Sequence, residues 1–118
     1  MSIFQAQEWW ATSVGSKEEF HTNSIDIGNV DNADPPMNKI IVGSFEGILR
    51  IFTPQPRQSK TEDLLIEKDM KAPILQVACW NNLVGQAAHK IFPDGKGKDK
   101  NAIAVLHSRK LVISAIVN

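Results

Sequence analysis

The 118-residue chain has one cysteine, no surplus of either charge and no long hydrophobic run, and each shortage removes a class of protein. Cys79 cannot form an intrachain disulfide, and a stable extracellular domain of this size more often carries several bridges, so the cytosol is the default expectation. Its setting, Val77-Ala78-Cys79-Trp80, is apolar and predicts a buried, inert thiol in preference to a reactive one. Thirteen basic residues are cancelled by thirteen acidic ones. That balance argues against nucleic acid as a partner, because counterion release from phosphates needs basic residues in excess on one face. The amino terminus has no basic region followed by an apolar core of signal-peptide length. Apolar runs reach only five residues, as at 102–106, against the ~20 needed to cross a bilayer. The expected protein is neither secreted nor membrane-spanning.

What the chain does have is strand periodicity. Ile3, Ala6, Trp10 and Val14 fall at steps of three and four and predict a short helix over residues 3–14, which Gly15-Ser16 ends. From Ser24 the period changes to two, with Ile25 and Ile27 and then Val30 as apolar positions. Asp31-Asn32-Ala33-Asp34-Pro35-Pro36 reads as a turn, since Asx side chains bond nearby backbone and proline cannot donate to a ladder. Residues 39–44 form a strand apolar on both faces, as a covered central strand is. Gly47 supplies the positive φ that closes a tight hairpin, and residues 48–52 return. Pro54 and Pro56 stop that strand, and residues 63–67 make a fourth, charged at both ends as sheet edges often are. The order then repeats: a strand at 74–80, a long loop at 81–100, a strand at 101–106, a turn at 107–110 and a return at 111–117.

Residues 40–49 lie over residues 103–112 without a gap, at an offset of 63 residues. Two meanders in series, the second with three strands, are the pattern of β-propeller blades. The expected fold is therefore all-β, the opening of a propeller: blade one over about 24–68 and a partial blade two over about 74–117, within an amino-terminal piece spanning 1–118. A single blade exposes two apolar faces and is not stable alone, so neighbouring blades are expected beyond this piece.

No catalytic, cofactor or metal site is expected. His21, His89 and His107 sit in no recognised catalytic motif, and the plain reading is of surface or turn histidines. Asp31, Asn32 and Asp34 offer hard oxygen atoms suited to calcium. They lack the alternating spacing and following glycine of a calcium loop, which favours an Asx-bonded turn. Pro93-Asp94-Gly95-Lys96-Gly97-Lys98 fails as a phosphate loop: Asp99 stands where Ser or Thr is required and Phe92 where glycine is. A solvated loop is the favoured reading there, with weak attraction to anionic lipid as the other. Trp9, Trp10 and Trp80 are weighed as interface anchors against core packing, and core packing is favoured. Trp9 and Trp10 are adjacent, so one is expected to pack inward and the other to point elsewhere.

The run at 39–52, with Glu62-Asp63-Leu64-Leu65, Pro73-Ile74-Leu75-Gln76-Val77 and Ala104-Val105-Leu106-His107-Ser108-Arg109-Lys110-Leu111, resembles the start of the family of the ninth Bardet-Biedl syndrome protein. That family is also called the parathyroid-hormone-responsive B-one proteins. Glu8-Trp9-Trp10, Lys17-Glu18-Glu19-Phe20 and Asn29-Val30-Asp31-Asn32 share the resemblance, which runs to about Ile113. A shorter loop at 33–38 and the lysine-rich insert at 95–100 depart from it, both in predicted loops, where length changes cost little free energy. The resemblance implies an amino-terminal β-propeller in a non-enzymatic scaffold subunit of the BBSome, the complex that carries membrane proteins to and from cilia. It further implies other BBSome subunits as direct partners and ciliary membrane cargo as indirect ones. The implied location is cytoplasm, ciliary base and centriolar region, and ciliary membrane through the complex; no partner-binding residue is assigned. The alternative from the residues alone is an autonomous small β-domain that binds a ligand or metal by its loops. An enzyme is the least favoured reading.

Overall fold

A computed structural model describes residues 7–80 and 100–116 of the chain. Seven strands form two antiparallel meanders. The first sheet holds β1 (Ile25–Gly28), β2 (Lys39–Gly43), β3 (Ile48–Phe52) and β4 (Leu64–Asp69) in sequence order. The second holds β5 (Ile74–Trp80), β6 (Ala102–His107) and β7 (Leu111–Ser114), also in order. The fold is all-β, and among the described residues the sheets do not close into a ring, as for incomplete propeller blades. No helix among the described residues is long and apolar enough to cross a membrane.

Period-two alternation sorts the side chains of each sheet to two faces. In the first sheet Ile41 stands opposite Ile51, and Ile51 opposite Ile66, on the face toward the second sheet. In the second, Val77 opposes Val105 and Cys79 opposes Ile103 on the face that answers it. Ile41, Ile51, Ile74 and Val105 are shielded almost completely, and with Val30, Leu49, Val77 and Ile103 they form the core. At ~25 cal/mol per Å2 of apolar area removed from water, this packing is the main force joining the sheets.

Two glycines set the approach. Gly43 on β2 faces Ile74 on β5 so closely that a Cβ there would collide with that side chain. Gly47 closes the β2–β3 hairpin at φ +100°, and a Cβ on it would stand 2.8 Å from the Ala72 carbonyl oxygen. Only glycine takes this conformation without cost.

The helix expected over residues 3–14 is not formed in its described part. Residues 7–14 have no regular secondary structure, and residues 3–6 lie outside the described residues. A short exposed helix gains little against its nucleation cost. Here Trp10 is taken up by tertiary contacts instead, its ring centroid 5.8 Å from that of Phe52. The fourth strand begins at Leu64 and runs to Asp69, because Asp63 belongs to a short 3-10 turn (Thr61–Asp63). Val30 leaves β1 to enter the core. The last strand ends at Ser114, and most of the expected 81–100 loop lies outside the described residues.

Candidate interaction faces

With the core faces used between the sheets, each sheet keeps an outer face. On the first, Ile25 stands opposite Val42 and Ile27 opposite Ile40. Ile25 and Ile27 are each 58% exposed, an unusual state for isoleucine in regular structure. On the second, Leu106 opposes Leu111 and Ala104 opposes Ile113, while Ala78 and Trp80 continue the same row. Leu111 is 61% exposed, and Trp80, Leu106 and Ile113 are also exposed. Contiguous exposed apolar surface of this kind marks places where something else packs.

Part of the outer half of the first sheet is already covered, although Glu67 on β4 stays half exposed. Residues 7–20 cross β3 and β4 as a strap held at two points by charge-assisted bonds. Asp63 is the first point: both carboxylate oxygens accept from Arg57, at 2.8 and 3.1 Å. Oδ2 also accepts from the Trp10 indole N–H at 3.1 Å and the Lys60 amide at 3.0 Å. The Arg57 guanidinium, then the Lys60 amide, then Trp10 hold its carboxyl well below the usual carboxylate range. At the second point Arg50 donates to both oxygens of Glu18, at 2.9 and 3.0 Å, and through Nε to Glu67 at 3.1 Å. Glu18 is lowered by Arg50, against the opposing effect of burial. The strap ends beside the β2–β3 turn, where the Glu19 amide donates to Glu46 at 3.0 Å and the Phe45 amide donates to the Glu19 carbonyl at 2.7 Å.

Between strap and inner half lies an apolar groove of about 500 Å3, lined by Trp9, Trp10, Ile27, Met37, Ile40 and Pro54. Trp9 is 58% exposed on its rim while Trp10 packs inward, the split expected of two adjacent residues. Trp80 is exposed, where core packing was expected. The reason is its position: it continues the outer row of the second sheet.

The other residues singled out in the sequence do not converge. Asp31 pairs with Lys39 at 3.1 Å. Asn29 accepts from the Ala33 amide at 3.0 Å, an Asx bond that shapes the turn, and Asn32 sits at φ +55°. Asn32 also accepts from the Asn101 amide at 2.7 Å, tying this turn to the second sheet. Cys79 is half-buried on the core face. Burial first, then the charge of Asp26, push its thiol up. His107 is buried at the end of β6, where a turn histidine was expected, and its Nδ1 donates to the Pro73 carbonyl at 3.0 Å. His21 is exposed; His89 and residues 93–98 lie outside the described residues. Among the described residues no three His, Cys, Asp or Glu side chains come together to hold a metal ion. Sequence reasoning missed the strap contacts, Trp10 to Asp63 and Glu18 to Arg50, because each spans more than 30 residues with no local pattern.

A family model described as PTHB1 N-terminal matches residues 1–118. The chain belongs to the PTHB1 family. It is 42% identical over 120 residues to the human relative named Protein PTHB1, covering 98% of this chain and 12% of the human protein. Relatives of the same name from Xenopus laevis and Mus musculus are each 40% identical over 120 residues, with 13% and 12% of their lengths covered. The chain thus spans about an eighth of the curated relatives it matches.

Proposed function

We propose that this chain supplies the opening blades of a β-propeller in a non-enzymatic scaffold subunit of the BBSome, which traffics membrane proteins to and from cilia. The first sheet is then blade one, residues 24–68, and the second supplies three strands of blade two, residues 74–117. The observation that carries the reading is the pair of exposed apolar patches, Ile25 with Ile27 and Leu106 with Leu111, on a chain whose relatives are about eight times longer. Such faces are worth keeping only where neighbours cover them. Binding, with no turnover, is the mechanism: apolar anchors inside a polar rim. The protein would act in the cytoplasm and at the ciliary base, reaching the ciliary membrane through the complex.

The test is a chimera in which residues 1–118 replace the matching segment of human Protein PTHB1, tagged and expressed in ciliated cells. Recovery of other BBSome subunits at the level of the unmodified human protein is expected, and loss of that recovery when Leu111 and Ile113 are both changed to Glu. A chimera that folds and recovers no BBSome subunit contradicts the proposal.

A further inference from the structure

The chain reversals at one end of the two sheets are stitched into a single rim. The Phe45 amide, on the β2–β3 turn, donates to the Glu19 carbonyl at 2.7 Å, and the Met70 amide donates to the Gly47 carbonyl at 2.8 Å. The Ile74 amide donates to the Ser44 carbonyl at 3.2 Å, which joins the link between β4 and β5 to the same turn. The buried His107 ring then ties Pro73, close after Lys71 in that link, to the β6–β7 turn that bears Arg109 and Lys110. Propeller blades stack on sheet faces, so neighbours of that kind leave these turns open.

Folding alone does not account for three features of this rim. Phe45 is 47% exposed at a turn position where Gly, Asn, Asp and Ser are the usual residues. Lys71 is held at φ +62°, a conformation that glycine or asparagine takes at less cost and that clusters where function maintains it. Lys71, Arg109 and Lys110 are all exposed, and among the described residues none of them is in an ion pair. The neighbouring Asp69 accepts from the Lys71 amide at 2.8 Å and so shapes the turn. Beside Phe45 stand the exposed Glu19 and Glu46, the Glu46 carboxylate fixed by the Glu19 amide. The rim thus carries an exposed aromatic side chain with acidic residues next to it and basic residues farther along, the anatomy of an interface anchor within a polar border.

We infer that this rim docks a short acidic segment of a partner protein, with carboxylates against Lys71, Arg109 and Lys110 and an apolar side chain on Phe45. Charge decides among anionic partners. A membrane or a nucleic acid presents a continuous anionic surface, which would press the Glu19 and Glu46 carboxylates against like charge. A peptide confines its acidic residues to the basic end. The inference goes beyond the scaffold reading and does not rest on it, since it uses the turns and not the sheet faces, so either can fail while the other stands.

The probe is a fluorescein-labelled peptide, Leu-Gly-Asp-Glu-Asp-Glu, whose anisotropy is followed as the purified chain is added at low salt. Saturable binding that weakens as salt is raised is expected. Lys71→Glu, Arg109→Glu and Lys110→Glu should each weaken it about two- to fivefold, and Phe45→Ser about fivefold or more. All four positions are exposed, and unchanged circular dichroism confirms folding of the variants. A peptide with Ser in place of Leu should lose affinity for the parent chain and none for the Phe45→Ser variant, where that contact is already gone. Lys96→Glu combined with Lys98→Glu, in the connection that leaves the opposite ends of β5 and β6, should have no effect. The inference is overturned by no binding, by binding that the rim variants leave unchanged, or by binding lost with the Lys96 and Lys98 changes. Tighter binding to phosphatidylserine vesicles or to single-stranded DNA than to the peptide overturns it as well.

Discussion

Asp63 shows how far one side chain departs from its local sequence. In Glu62-Asp63-Leu64 it reads as the polar end of an edge strand, yet four N–H groups close on its carboxylate and only 2% of the residue is exposed. Those partners favour the charged form, so its folded pKa lies below the unfolded one, about 3.9. A group of that kind stabilises the fold fully above its unfolded pKa, and the contribution is lost as pH falls toward the folded value. Glu18, lowered by Arg50, acts in the same direction. The melting temperature is therefore expected to drop as pH falls below about 5, with a shallower drop in Asp63→Asn, which also melts lower at pH 7. An unchanged slope in the variant would contradict the assignment. His107 is the converse case. It was legible as a residue of the turn region but not as a buried one, because its carbonyl partner, Pro73, lies 34 positions away.

At the scale of elements, most strands were legible because period-two alternation and turn residues are local signals. Lys39–Gly43, Ile48–Phe52 and Ile74–Trp80 follow the sequence reading nearly to the residue. The strap was not legible: its apolar spacing imitates a helix, and only docking of Trp10 and Glu18 onto the finished first sheet decides between extended chain and helix. Gly47 was read correctly as the hairpin glycine, and the structure adds a second demand, the nearby Ala72 carbonyl. Gly47→Val is expected to cost about 1–3 kcal/mol in chemical denaturation, since positive φ and close backbone contact both oppose a branched side chain. A cost within ±0.5 kcal/mol, ordinary for a surface substitution, would show that the turn relaxes freely.

For the whole molecule, the 63-residue internal repeat gave the two meanders and their order, and family membership agrees with the resemblance seen in the same segments. Which outer residues stay exposed was not legible. Trp80 reads as core by composition and becomes exposed only because the β5–β6 register puts it opposite Ala102, in the outer row. That row is built to be covered. Its most direct test is thiol labelling of Leu111→Cys in a Cys79→Ala background, compared between residues 1–118 held at 1 μM and the human chimera. Prompt labelling in the short chain with at least tenfold slower labelling in the chimera is expected. Equal rates in the two would mean that the surface stays open to water in the longer protein, and the account would fall.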